Sequence, residues 1–129
     1  MSKPAHNILV VQDNDLVQAF MAIHLETEGY QVKTATNGAE MFHALTNDDP
    51  DLVLMELNLP DGDGLDLIKR IRGQSKTPIL VATMRQGREA CLKALRLGAD
   101  DYITKPFDLY EMVLRIRNIL KYSPPRSVH

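Results

Sequence analysis

The 129-residue sequence has little of what would hold a small secreted or membrane protein together. It contains one cysteine, Cys91, which excludes an internal disulfide and a cysteine cluster for a metal ion. No apolar stretch is long enough to cross a bilayer, and no signal-peptide pattern is present. The formal net charge is only −2, so overall electrostatic attraction would not bring the chain to nucleic acid. These absences favour a soluble, cytoplasmic protein without a membrane partner.

Four short apolar runs are present, and polar residues of the kind that bind phosphate or metal stand at their ends. The runs occupy residues 8–11, 52–55, 79–82 and 102–104. Runs of this length are typical of strands that are buried on both faces of a parallel sheet. Ligands of open α/β sheets bind at the carboxyl ends of the strands, so we expect the polar residues to converge on one patch. These residues are Gln12, Asp13, Glu56, Thr83 and Lys105.

Helical patterns lie between the apolar runs, and a further short strand is predicted at residues 31–35. This alternation predicts an α/β domain, doubly wound, with a five-stranded parallel sheet and five helices. The first helix is indicated by apolar residues at helical spacing, namely Leu16, Ala19, Phe20 and Ile23. Asp108 and Glu111 resemble a capping box at the start of the fifth helix. Residues 123–129 are typical of a linker, so we expect the domain at residues 1–122.

In this order the motifs resemble the receiver domain of two-component response regulators, over residues 6 to 122. The segment Gly-Ala-Asp-Asp-Tyr-Ile-Thr-Lys-Pro-Phe at residues 98–107 is similar to the OmpR/PhoB branch. The resemblance implies a flavodoxin-like (CheY-like) fold with strand order 2-1-3-4-5. It also implies that the linker leads to a winged-helix DNA-binding domain outside this chain. The protein would then be a transcription regulator and not an enzyme, and it would contact DNA only through that domain.

The resemblance assigns roles to residues at the strand ends. The phosphoryl-accepting aspartate of the family corresponds to Glu56, and its acidic pair corresponds to Gln12 and Asp13. Together with the backbone carbonyl of Asn58, these positions would hold Mg²⁺, which prefers oxygen ligands.

A hydroxyl group and an ammonium group hold the phosphoryl group in the family. The corresponding residues here are Thr83 and Lys105. In the family the hydroxyl residue is coupled to an aromatic residue on the fifth strand, which corresponds to Tyr102.

Two of these positions depart from the pattern of the family. Glu56 carries one more methylene than aspartate, which moves its carboxylate by about 1.5 Å. A displacement of about 1 Å can cost on the order of a hundredfold in the rate of group transfer. Gln12 is neutral, so the charges of Asp13, Glu56 and Lys105 (−1, −1 and +1) sum to −1, whereas three carboxylates and one lysine sum to −2. We therefore predict inefficient phosphorylation and weak binding of Mg²⁺.

The longer carboxylate of Glu56 has a second consequence. It can approach Lys105 or Thr83 and act as a partial mimic of the phosphorylated state, which would bias the domain toward its active arrangement. Two other interpretations stay open at this point. The site has lost its chemistry while the fold is kept, or the chain is an ordinary phosphorylatable receiver with an aspartate-to-glutamate change.

The OmpR/PhoB branch also implies partners. Active receivers of this branch pair through the fourth helix, the fifth strand and the fifth helix, so the resemblance implies a homodimer. The corresponding charged residues are Asp100, Asp101, Glu111, Arg115 and Arg117. Cys91 stands where the branch usually has a basic residue. A sensor histidine kinase is the other partner that the resemblance implies.

Two rival functions share parts of this pattern. A small flavin- or nucleotide-binding domain has the same topology, but it needs a phosphate-binding loop after the first strand. Residues 12–15, Gln-Asp-Asn-Asp, supply acids and no glycine, which disfavours phosphate binding at that position. The second rival is a stand-alone interaction module without an effector domain.

Overall fold

The computed structural model of the chain describes residues 5–122, and the predicted linker at residues 123–129 lies outside the described part. Strands and helices alternate along this part. The strands are β1 (Asn7–Val11), β2 (Gln31–Ala35), β3 (Leu52–Met55), β4 (Asn58–Leu59), β5 (Gly62–Asp63), β6 (Ile79–Thr83) and β7 (Asp101–Thr104). The helices are α1 (Asp15–Thr27), α2 (Gly38–Asp48), α3 (Gly64–Arg72), α4 (Arg88–Leu97) and α5 (Leu109–Leu120).

Five of the strands form a parallel sheet in the order β2-β1-β3-β6-β7. Counted within this sheet alone, the order is 2-1-3-4-5, so the predicted fold class is confirmed. Every residue of β3 and β6 is buried, because helices cover both faces of the sheet. One core layer lies beneath α2, α3 and α4, and the other lies beneath α1 and α5.

The strands β4 and β5 form a small antiparallel hairpin that follows the central strand β3. The carboxylate of Asp61, in the turn of this hairpin, accepts the N–H of Gly38 at 2.7 Å and that of Ala39 at 3.0 Å. These two hydrogen bonds outweigh the small effect of burial and lower the pKa of Asp61. The hairpin is thereby fixed to the start of α2, so it is a defined element and not a loose loop.

The position of α1 is confirmed, but the apolar residues that indicated it lie on its exposed side. Leu16, Phe20 and Ile23 are 67%, 57% and 62% exposed. Met21 and Leu25 are the residues of α1 that are buried against the sheet. Helical spacing of apolar residues therefore predicted the helix correctly without identifying the face that packs.

The start of α5 agrees with the capping signal in the sequence only in part. Asp108 accepts the N–H of Tyr110 at 2.7 Å, as an N-cap residue does. Glu111 pairs instead with Arg115, four residues further along the same helix, at 3.0 Å. The cap is therefore formed by Asp108 alone, and Glu111 belongs to the charged surface of the helix.

Candidate functional site

Glu56 directly follows β3 and forms the centre of the candidate site, where its side chain is buried. One carboxylate oxygen, Oε1, accepts a hydrogen bond from the ammonium group of Lys105 at 3.0 Å. The other oxygen, Oε2, accepts one from the hydroxyl group of Thr83. Oε2 also accepts the backbone N–H of Leu57 at 2.7 Å and that of Asn58 at 3.1 Å. Both oxygens are thus engaged by donors of the protein itself.

The parallel sheet brings these donors to Glu56. Thr83 is the last residue of β6, and Lys105 directly follows β7. The peptide bond between Lys105 and Pro106 is cis. Because β3, β6 and β7 are neighbours with the same direction, their carboxyl ends meet at one edge of the sheet. The structure therefore brings together three of the residues that the sequence proposed for the site.

The electrostatics of the site favour an ionised Glu56. Burial of its carboxyl group opposes ionisation, but the hydrogen bonds from Thr83, Asn58 and Lys105 outweigh burial and lower the pKa of Glu56. An unpaired buried ion would cost several kcal/mol, so the pairing with Lys105 matters more here than it would at the surface. At neutral pH the site therefore contains a direct, largely buried ion pair between Glu56 and Lys105.

The acidic-pair positions lie beside this ion pair. Gln12 is buried, and its side-chain oxygen accepts the N–H of Asn14 at 3.2 Å, whereas Asp13 is exposed. A cavity of about 290 Å³ opens here. It is lined by Gln12, Asp13, Asn14, Val17, Glu56, Asn58, Met84 and Lys105.

The side-chain oxygens of Glu56 and Gln12 at this cavity already have hydrogen-bond partners within the protein. Both oxygens of Glu56 and the amide oxygen of Gln12 already accept hydrogen bonds, which leaves Asp13 as the remaining carboxylate among the lining residues. Mg²⁺ needs several oxygen ligands in near-octahedral geometry. Within residues 5–122, no group of three or more His, Cys, Asp or Glu residues is arranged to hold a metal ion.

The sequence reasoning missed Arg85, which lies in the loop between β6 and α4. Its Nε donates a hydrogen bond to the side-chain oxygen of Asn58 at 2.7 Å, and its guanidinium group pairs with Asp63 at 3.0 Å. The backbone N–H of Arg85 donates to the hydroxyl oxygen of Thr83 at 3.2 Å, and its carbonyl accepts the hydroxyl group of Tyr102 at 2.7 Å. No sequence signal identified Arg85, because an arginine in a polar loop is commonly a solvated residue.

Tyr102 lies in β7, and its ring is buried between the sheet and the loop that contains Arg85. Burial of the hydroxyl group, together with the nearby Cys91 thiol, raises the pKa of Tyr102. The phenol therefore stays protonated at neutral pH and acts as a hydrogen-bond donor to the loop.

The five charged residues proposed for the dimer face fall into two groups. Asp101 and Glu111 both pair with Arg115, at 2.8 Å and 3.0 Å. The hydrogen bond from Arg115 to Asp101 is the largest effect on the guanidinium group, and it outweighs burial in raising the pKa of Arg115. These three residues form one charged cluster across β7 and α5.

Asp100 and Arg117 point elsewhere. Asp100 pairs with Arg72 of α3 at 3.1 Å and also accepts the N–H of Ile79 at 2.8 Å. Arg117 pairs at 3.0 Å with Glu28, just after α1. Both residues therefore have partners within the chain, on elements outside the predicted dimer face.

A family model and curated relatives both match most of this chain. The family model described as the response regulator receiver domain matches residues 8–117. TorR, the TorCAD operon transcriptional regulatory protein of Escherichia coli K12, is 38% identical over 115 residues, which cover 89% of this chain and 50% of TorR. The aerobic respiration control protein ArcA of the same strain is 40% identical over 114 residues, covering 88% of this chain and 48% of ArcA.

Among solved structures, a two-component response regulator from Clostridium difficile is similar to the chain with a TM-score of 0.88 and 30% sequence identity. The similarity covers 91% of this chain and 97% of that one. The chain spans about half the length of the curated relatives it matches. No helix within residues 5–122 is long and apolar enough to cross a membrane.

Proposed function

The chain belongs to the response regulator receiver domain family, in its OmpR/PhoB branch, and from this membership we propose that it is a receiver whose output does not depend on phosphorylation. The observation that carries the proposal is the position of the Glu56 carboxylate. It accepts hydrogen bonds from Thr83 and Lys105, the two residues that correspond to the family's phosphoryl-binding groups. Glu56 thus takes the place of a phosphorylated aspartate.

The same contacts argue against efficient phosphorylation. Transfer of a phosphoryl group to a carboxylate requires an oxygen that is free to attack phosphorus and a divalent cation that neutralises charge. Oε1 of Glu56 accepts a hydrogen bond from Lys105 and Oε2 accepts three others, so attack on phosphorus by either oxygen would disturb these contacts. Gln12 removes one of the carboxylates that would attract Mg²⁺. The proposal therefore includes slow phosphorylation and weak binding of Mg²⁺.

The arrangement around Thr83 supports a bias toward the active state. The hydroxyl group of Thr83 is directed to Glu56, and Tyr102 is buried with its hydroxyl group on the carbonyl of Arg85. These are the two residues that the family couples in switching, and both are directed inward. The mimicry is partial, because a carboxylate carries less charge and fewer acceptor oxygens than a phosphoryl group.

The proposed output follows the OmpR/PhoB branch. We assign homodimerisation to the face formed by α4, β7 and α5, where Asp101, Glu111 and Arg115 cluster. Control of transcription would then pass through a DNA-binding domain outside this chain, in the cytoplasm.

A second surface is available for a helical protein partner such as a sensor histidine kinase. The exposed side of α1 carries Leu16, Phe20 and Ile23. It continues into an apolar groove of about 280 Å³ that includes Phe107 and Leu109, at the start of α5. The groove also includes Lys105, so a partner bound there would lie beside the site.

The experiment that tests this function is intact-mass measurement after incubation with Mg²⁺ and a small-molecule phosphodonor. The parent protein, Glu56→Asp and Glu56→Gln are compared. We expect an adduct of about 80 Da, one phosphoryl group, on Glu56→Asp only. Glu56→Gln is the matched control, because it keeps the length of the side chain and removes its charge.

Association of the same three proteins, measured by sedimentation in the presence of reductant, tests the bias. The parent protein should dimerise without phosphodonor, and Glu56→Gln should dimerise more weakly. An adduct on the parent protein would contradict phosphorylation independence. An adduct on none of the three would mean that the whole site has lost its chemistry, and equal association of parent and Glu56→Gln would contradict mimicry.

A further inference from the structure

The loop between β6 and α4, residues 84–87, is held by one side chain that reaches across the site. Arg85 donates a hydrogen bond to Asn58 at 2.7 Å and forms an ion pair with both oxygens of Asp63, at 3.0 Å and 3.4 Å. Asn58 and Asp63 lie opposite each other on the two strands of the β4–β5 hairpin. The guanidinium group therefore joins the loop to both strands of the hairpin at once, which the planar geometry of arginine allows and a point-like ammonium group does not.

The β4–β5 hairpin, which Arg85 contacts, is itself held in place by hydrogen bonds to the rest of the domain. Asp63 is also the N-cap of α3. Its Oδ1, which lies 3.0 Å from the guanidinium group of Arg85, accepts the N–H of Leu65 at 3.0 Å. The N–H of Asn58 donates to Glu56, and Asp61 fixes the turn of the hairpin to α2. A loop that is tied to this hairpin is consequently tied to the rest of the fold.

The backbone of Arg85 contacts Thr83 and Tyr102, the two inward-facing residues that the family couples in switching. Its N–H donates to the hydroxyl oxygen of Thr83 at 3.2 Å, and its carbonyl accepts the hydroxyl group of Tyr102 at 2.7 Å. Any movement of the backbone at Arg85 would therefore change the contacts of Thr83 and Tyr102 together.

From these contacts we infer that Arg85 is a positioning residue that clamps the β6–α4 loop in the arrangement where Thr83 and Tyr102 face inward. This inference rests on the proposed function, since it explains how the arrangement persists without a phosphoryl group. Glu56 fixes Thr83 from inside the site, and Arg85 fixes the loop from outside. The two contacts act on different groups, so each can be removed without the other.

The clamp should act on the position of the loop more than on the stability of the fold. The side chains of Arg85 and Asp63 are 28% and 43% exposed, and ion pairs with this exposure contribute little to global stability. Loss of the clamp should therefore release Tyr102 without a large change in Tm. A residue with a purely structural role would instead lower Tm and leave Tyr102 in place.

The test follows Tyr102 directly by ¹⁹F NMR of protein labelled with 3-fluorotyrosine. The chain has four tyrosines, and the signal of Tyr102 is assigned by its loss in Tyr102→Phe. In Arg85→Ala we expect the Tyr102 signal to shift or broaden. We also expect the amide hydrogen of residue 85 to exchange at least about tenfold faster.

Three further variants make the test specific. Asp63→Asn keeps a side chain that can cap α3 but removes the carboxylate, so it should change the Tyr102 signal in the same direction as Arg85→Ala. The change should be smaller, because the hydrogen bond from Arg85 to Asn58 remains. The double variant should change the signal no more than Arg85→Ala alone, because the ion pair with Asp63 is already absent in Arg85→Ala. Arg88→Ala removes the same charge from an exposed residue three positions away and should leave the Tyr102 signal as in the parent protein.

Glu56→Gln separates this inference from the proposed function. If Arg85→Ala, like Arg88→Ala, changes neither the Tyr102 signal nor the exchange rate of the residue 85 amide, the proposal that Arg85 clamps the loop is wrong. This holds even if Glu56→Gln shifts the Tyr102 signal. If Arg85→Ala releases Tyr102 and Glu56→Gln has no effect, the clamp is supported and the mimicry by Glu56 is contradicted.

Discussion

The extra methylene of Glu56 changes what this site can do more than any other single feature of the chain. The longer side chain folds back so that one oxygen accepts the N–H groups of Leu57 and Asn58, while the other meets Lys105. Burial alone would favour the neutral acid, but the hydrogen bonds from Thr83, Asn58 and Lys105 reverse that preference and lower the pKa of Glu56. A residue that departs from the phosphorylatable aspartate thus places a negative charge against Thr83 and Lys105 at neutral pH.

The pH dependence of stability should reveal this charge. The pKa of Glu56 is lower in the folded protein than its value of about 4.3 in an unfolded chain. Its contribution to the free energy of unfolding is therefore complete above about pH 4.3 and is lost as pH falls through the folded pKa. We expect urea denaturation to show that the advantage of the parent protein over Glu56→Gln shrinks as pH falls below about 4.3. Asp61 and Asp63 titrate in both proteins and cancel, so parallel pH profiles would contradict an ionised Glu56.

At the scale of secondary structure, α1 shows that a helix can carry two apolar stripes with different uses. Met21 and Leu25 pack on the sheet, whereas Phe20 and its neighbours along the helix stay exposed beside the site. A continuous apolar surface on a monomer is commonly an interaction surface. The exposed stripe is therefore consistent with the partner surface that we propose.

Adjacent residues of α1 should respond differently to truncation. Met21→Ala should lower the free energy of unfolding by about 2–4 kcal/mol, because a buried side chain leaves a cavity. Phe20→Ala should change it by less than about 1 kcal/mol, because that ring is 57% exposed. Urea denaturation at pH 7 measures both values. Equal losses would show that the exposed stripe packs within the domain.

The β4–β5 hairpin is held closely against the start of α3. Gly64 lies so near the backbone of Leu57 that a Cβ added there would stand 2.6 Å from the Leu57 Cα. The N–H of Gly64 also donates to the carbonyl of Leu57 at 2.7 Å. The absence of a side chain at this position keeps the hairpin, and with it Asn58 and Asp63, in place around the site.

Gly64→Ala should consequently destabilise the protein by about 1–3 kcal/mol through overpacking. The matched control is Gly62→Ala, since a Cβ at that position would meet nothing within 4 Å. That control should change stability by less than about 0.5 kcal/mol. Thermal unfolding of both variants tests the difference, and a Tm for Gly64→Ala equal to that of Gly62→Ala would contradict close packing.

At the scale of the whole molecule, the site around Glu56 and the proposed dimer face lie on adjoining parts of one sheet. Glu56 and Thr83 form the site, Tyr102 in β7 donates a hydrogen bond to the β6–α4 loop, and the neighbouring residue Asp101 pairs with Arg115. A signal from the site to the proposed dimer face would pass through β7 and the β6–α4 loop, which the contacts of Tyr102 with Arg85 and of Asp101 with Arg115 join to these two regions. The self-complementary charges of such a face suit a two-fold dimer.

Charge reversal at Arg115 should weaken that dimer. In Arg115→Glu the cluster with Asp101 and Glu111 becomes uniformly negative, and we expect the dimer Kd to rise at least about tenfold. Lys76→Glu is the control, because Lys76 is exposed in the loop before β6. Sedimentation in reductant, which prevents disulfide dimers through Cys91, measures the assembly. An unchanged Kd would assign dimerisation to another surface.

The apolar runs and the polar residues after them were enough to predict the sheet and the centre of the site. Buried parallel strands must be apolar on both faces, so their runs are visible in the sequence, and the polar residue that follows each run must lie at one edge. The proximity of Glu56, Thr83 and Lys105 follows from strand order alone. The departures at Gln12 and Glu56 were equally visible as changes of residue type.

The contacts that these residues make depend on how the helices and loops pack, and the sequence pattern did not predict them. Apolar spacing along α1 did not distinguish the stripe that packs from the stripe that stays exposed, because both repeat with the period of the helix. Charge alone could not show that Asp100 pairs with Arg72 or that Arg85 reaches Asp63. Such pairs join elements far apart in the chain, and their distances are set by how helices and loops pack on the sheet, which no local pattern encodes.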